Sequence, residues 1–206
     1  AVYSMLDYTA YSRERDDKLQ TICNAHNCAW VQYEDAMLHN VNTIKTTTNT
    51  MYRKFTPYYN NCLNIPVRKP STIKKFNNWQ HLSINKKYSI KVSELSKTIY
   101  KPNPCVPKQG GRSHGLHILA QIRDGKWDDY DEKHNFLAYE TTHLSAYNKF
   151  GCVSIREVYH AIASRKSAAT GLIRQLIWRD FYYMVSYSAP EIYKYSLNPK
   201  FRNVKW

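Results

Sequence analysis

Residues 172–184 read LIRQLIWRDFYYM and restrict the fold more than any other stretch. Leu172, Ile173, Leu176 and Ile177 recur at helical spacing and form a stripe that a folded chain must bury against other elements. Gln175, Trp178, Arg179 and Tyr182 fall at i, i+3, i+4 and i+7, so they share a second face. That face offers an amide, an indole, a guanidinium and a phenol. Such a set can stack on a flat base, bond its edge and hold a phosphate. Spacing alone fits a polar-aromatic packing seam between helices better.

The rest of the second half is read the same way. Ser113 is expected to cap a helix carrying Leu116, Leu119 and Ile122 on one side. SIRE, Ser154 to Glu157, is a capping box that opens a helix with Val158 and Ile162 on its apolar face. Pro190 marks the end of the helix that begins near Leu172. Residues 108–206 are therefore expected to form an all-α domain.

The first half differs. Ser12 to His26 has helical periodicity through Leu19, Ile22 and Cys23, and CAWVQYED then reads as a short strand and a turn. Residues 1–54 are one partial α/β unit. CNAHNC (Cys23, His26, Cys28) has no second ligand pair at zinc-finger spacing and fits the end of an amphipathic helix. Residues 55–107 hold six prolines, Pro57, Pro66, Pro70, Pro102, Pro104 and Pro107, with many Lys and Asn. They read as a long basic connector with little regular structure.

The fold class is thus mainly α, with an α/β remnant ahead of a helical domain. The charge follows this division. The chain of 206 residues carries a formal charge of +14. Met51 to Lys126 holds 15 Lys and Arg against 2 Asp and Glu, and the remainder holds 15 against 14. Such a stretch serves either as a solvated connector or as a contact surface for a polyanion such as DNA. Five Cys without framework spacing fit a reducing, intracellular compartment, and no apolar run of about 18 residues suggests a membrane span.

Three hydroxyls, Thr141, Thr142 and Ser145, stand at a helix start in TTHLSAYNKFG, where free N–H groups and the helix dipole favour a phosphate or a simple cap. KQGGRSHGL, Lys108 to Leu116, allows close backbone approach at Gly110 and Gly111, and by itself it reads as a glycine turn into a helix. His114 and His117 lie one turn apart with no carboxylate or thiol beside them in sequence, as surface residues do. No G-x-S-x-G, P-loop or H-E-x-x-H pattern occurs, so hydrolytic chemistry has no support.

The order of these motifs is more specific than any one of them. GGR, then Tyr130, then TTHLSAYNKFGCVSIREVYHAI, then LIRQLIWRDFYY resembles the DNA photolyase/cryptochrome family, in the pattern of class I-like cyclobutane pyrimidine dimer photolyases. DYTAYSRERDDKLQTIC, YEDAML and YRKFTPYYN resemble the end of that family's antenna domain. The resemblance implies an all-α domain holding FAD, and light-driven repair of pyrimidine dimers in DNA by electron transfer from reduced FAD, a carbon–carbon lyase activity. It implies cofactor contacts from Tyr130, Thr141, Thr142, His143, Leu144, Ser145 and Gln175. Lesion or DNA contacts would come from Arg112, Gln175, Trp178, Arg179 and Tyr182. A complete enzyme of this kind would carry a second, antenna chromophore of folate or deazaflavin type.

The chain departs from the family pattern in three ways. Thr142 stands for the usual Ser. His134 stands where an Arg commonly follows the flavin tyrosine. The helices carrying the second half of the flavin pocket and the tryptophan relay do not appear, and neither do the early antenna strands. The chain thus resembles a fragment shortened at both ends, either one part of a split enzyme completed by a separate chain supplying the remaining helices or a truncated product, inactive unless complemented. The alternatives are a cryptochrome-like photoreceptor and a non-catalytic DNA-binding remnant.

Overall fold

The computed structural model describes residues 1–41, 43–71, 89–99, 110–165 and 170–205. Lys108, Gln109, Pro102, Pro104, Pro107 and much of the basic stretch lie outside them. The chain opens with β1 (Val2–Met5), α1 (Ala10–Ala25) and β2 (Trp30–Tyr33), the two strands pairing in parallel from Val2↔Trp30 to Met5↔Tyr33. A parallel pair needs a crossover, and α1 supplies it. Thr9 caps α1 by accepting from the Ser12 N–H at 3.2 Å. Cys23 and His26 close the helix, and Asn27 takes a left-handed turn (φ 49°) that sends the chain into β2. Gln32 on β2 donates to Asp16 of α1 at 2.8 Å, which fixes the helix against the sheet.

Next come α2 (Phe55–Leu63), α3 (Val92–Ile99), α4 (Arg112–Arg123), α5 (Tyr130–Lys133), α6 (Leu144–Lys149), α7 (Ile155–Ala163) and α8 (Thr170–Ser188), followed by two short 3-10 turns. The helices share one core. Leu119 and Ile122 of α4, Val158 and Ile162 of α7, and Leu172, Leu176, Ile177 and Phe181 of α8 are all buried in it. The aliphatic stripe of α8 is therefore the core face that its spacing requires.

Two local expectations need correction. Residues 55–63 are no unstructured connector: they form α2, and Phe55, Tyr58 and Cys62 are buried with α8. Pro57 is the reason for the misreading. It falls in the first turn, where a missing N–H breaks no helical hydrogen bond. Leu38 and Ile44 join the same core, so the helical body recruits residues well before position 55. Second, Ser113 lies inside α4, because Gly111 takes the capping position with φ 102°, a conformation costly for other residues. The Ser154 box forms as expected: Ser154 Oγ accepts from the Glu157 N–H at 3.1 Å, and Glu157 accepts from the Ser154 N–H at 2.8 Å.

The α/β unit is tied to the helices through residues 35–39. Asp180 on α8, only 1% exposed, accepts the backbone N–H groups of Leu38 (2.9 Å) and His39 (3.3 Å) on Oδ2. Buried Arg156 of α7 pairs with Asp35, and Arg179 donates to the Ala36 carbonyl. Tyr8, Met37 and Val41 fill the joint, with Tyr183 and Tyr187 of α8 against them. Burial raises the Tyr58 phenol and the Cys62 thiol of α2, and both are near enough to Asp180 for its charge to add to the effect.

Burial pushes the Asp180 carboxyl up to about 7, against the opposing pull of Arg179, the two N–H donors and Arg156. The fold thus favours the protonated acid. Its stabilisation is complete below the ordinary aspartate value of 3.8 and is lost as pH rises to about 7. Buried His39, held below its usual range by desolvation and by Arg156, works in the opposite sense below its ordinary value of 6.5, so the comparison must be made between variants. Asp180→Asn keeps an acceptor and removes the titration. In urea unfolding, the native protein is expected to lose stability relative to the Asp180→Asn variant between pH 4 and 7, and the difference to level off above. Asp180→Ala leaves two buried donors unpaired and is expected to cost about 1–3 kcal/mol at every pH.

Candidate cofactor and lesion cavities

The site grows from the segment that leads into α6. Buried Trp127 donates its indole N–H to the Glu140 carbonyl at 2.8 Å, and the Tyr139 hydroxyl donates to Asp129 at 2.7 Å. These bonds fix the approach to Thr141. His143 then adopts a left-handed conformation (φ 53°), and Leu144 turns inward as a buried anchor. The turn leaves Thr141, Thr142, His143 and Ser145 along one rim of a cavity of about 430 Å³. Its floor is apolar, made by Val158 and Ile162 of α7 and Leu172 and Leu176 of α8. Tyr130, Gln175, Asn148 and Arg179 complete the lining. The structure therefore brings all seven residues expected to hold a cofactor to one place.

A second cavity of about 490 Å³ lies against the first. Tyr59, Tyr130, Asp131, His134, Thr170, Gly171, Arg174, Gln175 and Trp178 line it. Tyr130 and Gln175 border both cavities and form the partition between them. Tyr130 is set by a stack on His134 (5.1 Å between centroids, 18° between planes), whose Nδ1 lies 2.9 Å from the Tyr130 carbonyl oxygen. Burial raises the Tyr130 phenol, with Asp131 adding to the effect, so the ring is neutral at ordinary pH.

The polar-aromatic face of α8 divides its work. Trp178 is stacked on Phe55 with centroids 3.5 Å apart and planes 5° from parallel. Tyr182 stacks more loosely on the same indole, at 5.5 Å and 21°, and is 61% exposed. Arg174, one turn before Trp178, lies over Phe55 (5.7 Å) and Tyr59 (5.6 Å). Arg179 turns toward the α/β unit, over Tyr183 at 4.9 Å, while still lining the first cavity.

Arg112 is not brought to either cavity. It makes a paired contact with Glu157 (2.8 and 3.2 Å) and donates to the Cys152 carbonyl at 3.0 Å. The guanidinium holds the Glu157 carboxyl below its usual range. His114 and His117 are exposed on α4.

Sequence reasoning missed Phe55, Tyr59, Arg174, Asp131 and Asn148. Arg174 was within reach of the helical spacing, four residues before Trp178. Phe55 was not, because nothing local says that a proline-containing segment packs on a helix more than a hundred residues later.

The fold and these cavities define a class: a helical body with two adjoining cavities, joined to a parallel α/β unit. The family model described as DNA photolyase matches residues 1–75. A deoxyribodipyrimidine photo-lyase of Alkalihalophilus pseudofirmus is 25% identical over 210 residues, covering 100% of this chain and 44% of that protein. A solved class III photolyase of Agrobacterium tumefaciens superposes with a TM-score of 0.78 at 20% identity, over 100% of this chain and 44% of its own. An archaeal photolyase of Sulfolobus tokodaii, whose crystal structure holds two FAD molecules, gives 0.69 at 25% identity, over 98% and 42%. The first 75 residues thus match the DNA photolyase family, and the whole chain is similar to photolyases in sequence. It spans less than half the length of these relatives.

The partition yields a prediction. Asp131 Oδ2 accepts from the Thr170 hydroxyl (2.8 Å) and the Gly171 N–H (3.2 Å), binding α5 to the first turn of α8. A Cβ at Gly171 would overlap Asp131 Oδ1 and lie 3.2 Å from the Tyr130 ring. Helix propensity favours alanine there by up to about 1 kcal/mol. The clash outweighs this, because forcing Asp131 away loses two hydrogen bonds and strains Tyr130. Gly171→Ala is expected to lower stability by about 1–3 kcal/mol. In an Asp131→Ala background the same change is expected to be much less harmful, as urea unfolding of the two pairs will show.

Proposed function

We propose that this chain forms the first part of a photolyase catalytic body, in which the cavity rimmed by Thr141–Ser145 holds FAD and the cavity walled by Trp178 receives a pyrimidine dimer turned out of DNA. The observation that carries the reading is the shared partition: Gln175 borders both cavities, as a group between cofactor and lesion must.

The first cavity suits a dinucleotide in its chemistry. Its rim supplies hydroxyls and a carboxamide, its floor is apolar, and among the described residues its lining includes Arg179 and no carboxylate. Thr141, Thr142 and Ser145 would donate to phosphate oxygens, with His143 and Leu144 shaping the turn and Tyr130 lying along the flavin. Bound there in its reduced form, FAD would supply the light-excited electron that opens the cyclobutane ring and then takes the electron back.

In the second cavity Trp178 offers an aromatic wall that Phe55 holds flat. The dimer must leave the duplex stack, which costs a few kcal/mol and least for a distorted site. Stacking on an aromatic side chain is worth about 1–3 kcal/mol per base, enough to offset much of that cost. Tyr182, exposed beside Trp178, would meet the DNA strand, and Arg112 would do so only by leaving Glu157. A separate polypeptide carrying the rest of the family's helices would complete the pocket.

The test pairs this chain with such a polypeptide and illuminates an oligonucleotide containing one thymine dimer with blue light. Repair is expected, together with preference for damaged over intact DNA. Trp178→Ala is expected to weaken lesion binding by about tenfold or more, given the stacking energy. No repair, with equal affinity for both DNAs, would favour a photoreceptor or a remnant that binds DNA by charge alone.

A further inference from the structure

Arg174 is named by none of the expectations above, yet it borders the second cavity with Tyr59, Gln175 and Trp178. It stands one helical turn before Trp178, on the same side of α8. Its guanidinium carbon lies 5.6 Å from the centre of the Tyr59 ring and 5.7 Å from that of Phe55. Tyr59 is itself a wall of the cavity, so the charged end of Arg174 is held there as well as its stem. Arg174 is exposed whereas Trp178 is half-buried, which puts the cation at the mouth and the indole further in.

Arg112, Arg156 and Arg179 also border cavities, and each is engaged, with Glu157, with Asp35 and with the Ala36 carbonyl. Among the described residues Arg174 makes no hydrogen bond and no ion pair. The carboxylate in the same lining, Asp131, is taken up by Thr170 and Gly171. Attraction between a cation and an aromatic ring fixes the group without using its N–H donors. We infer that Arg174 anchors the damaged strand: its guanidinium binds a phosphodiester group of the nucleotides whose dimer enters the cavity, while Phe55 and Tyr59 hold it in place. This role rests on the lesion reading above. The guanidinium fork matches two phosphate oxygens, and a phosphodiester offers acceptors and a negative charge. The dimer's bases go in against Trp178, and the backbone that joins them stays at the mouth, where Arg174 stands. That backbone reaches Arg174 only when the dimer is turned out, so the contact favours damaged over intact DNA.

The experiment uses the 206-residue chain with the variants Arg174→Gln, Arg174→Lys and Trp178→Ala. Fluorescence anisotropy gives affinity for a duplex carrying one thymine dimer and for the intact duplex, between about 50 and 200 mM salt. Each phosphate contact contributes about 0.9 to the slope of log affinity against log salt. Arg174→Gln is expected to lose about that much slope on damaged DNA, making its deficit about three- to fourfold larger at the lower salt than at the higher. Intact DNA is expected to show little change, and Arg174→Lys, which retains the charge, is expected to keep the native slope. An unchanged slope for Arg174→Gln on damaged DNA, with Trp178→Ala still losing the preference for it, would overturn the role of Arg174 and leave the lesion reading intact. An equal loss of slope on both duplexes would overturn it too, since the charge would then act on any DNA. Equal affinity of the native chain for the two duplexes would remove the lesion reading and this role together.

Discussion

A carboxyl group taken fully out of water can remain in a fold only if the fold is built around it, and Asp180 is such a group. It accepts the Leu38 and His39 N–H groups, so a segment of irregular backbone becomes a fixed part of the helical body. Arg156 and Arg179 add bonds to Asp35 and Ala36 on the same segment. The chain leaving that segment places Ile44 in the core and delivers α2 against α8. The stack of Phe55 on Trp178 therefore depends on an anchor more than ten residues earlier in the chain.

The same helix that holds this anchor also carries the site. Its aliphatic stripe enters the core, Asp180 reaches the joint, and Gln175 and Trp178 face the cavities. A helix of 19 residues has room for these tasks because its faces are angularly separate. The arrangement has a cost, since a substitution that rotates or tilts α8 disturbs the core, the joint and the partition at once. Tyr130 and Gln175 come from different elements and meet only because Asp131 ties α5 to the start of α8.

Much of this was legible in the residues. The capping box at Ser154 is a local interaction between positions three apart, so its sequence specifies its geometry. The two faces of α8 follow from periodicity, and the motif order around Tyr130 and Thr141–Ser145 identified residues that the structure gathers into one cavity. The failures share a cause. α2 was hidden because proline tolerance depends on position within a turn, which is known only once the helix start is known. Ser113 was assigned as a cap because the left-handed backbone of Gly111 leaves no sign in side-chain pattern. The pairing of Arg112 with Glu157, and of Phe55 with Trp178, is tertiary information that neither local spacing nor composition contains.

The Asp131 clamp also bears on how the two cavities move. Tyr130 immediately precedes Asp131, and its ring lies against the glycine at the start of α8. Gln175 is four residues further along that helix. Any slow excursion of α8 along its axis must carry both halves of the partition in the same direction. The thickness of the wall between the two chambers is thereby tied to one helix, and a donor and an acceptor on either side of it would keep their separation when that helix shifts.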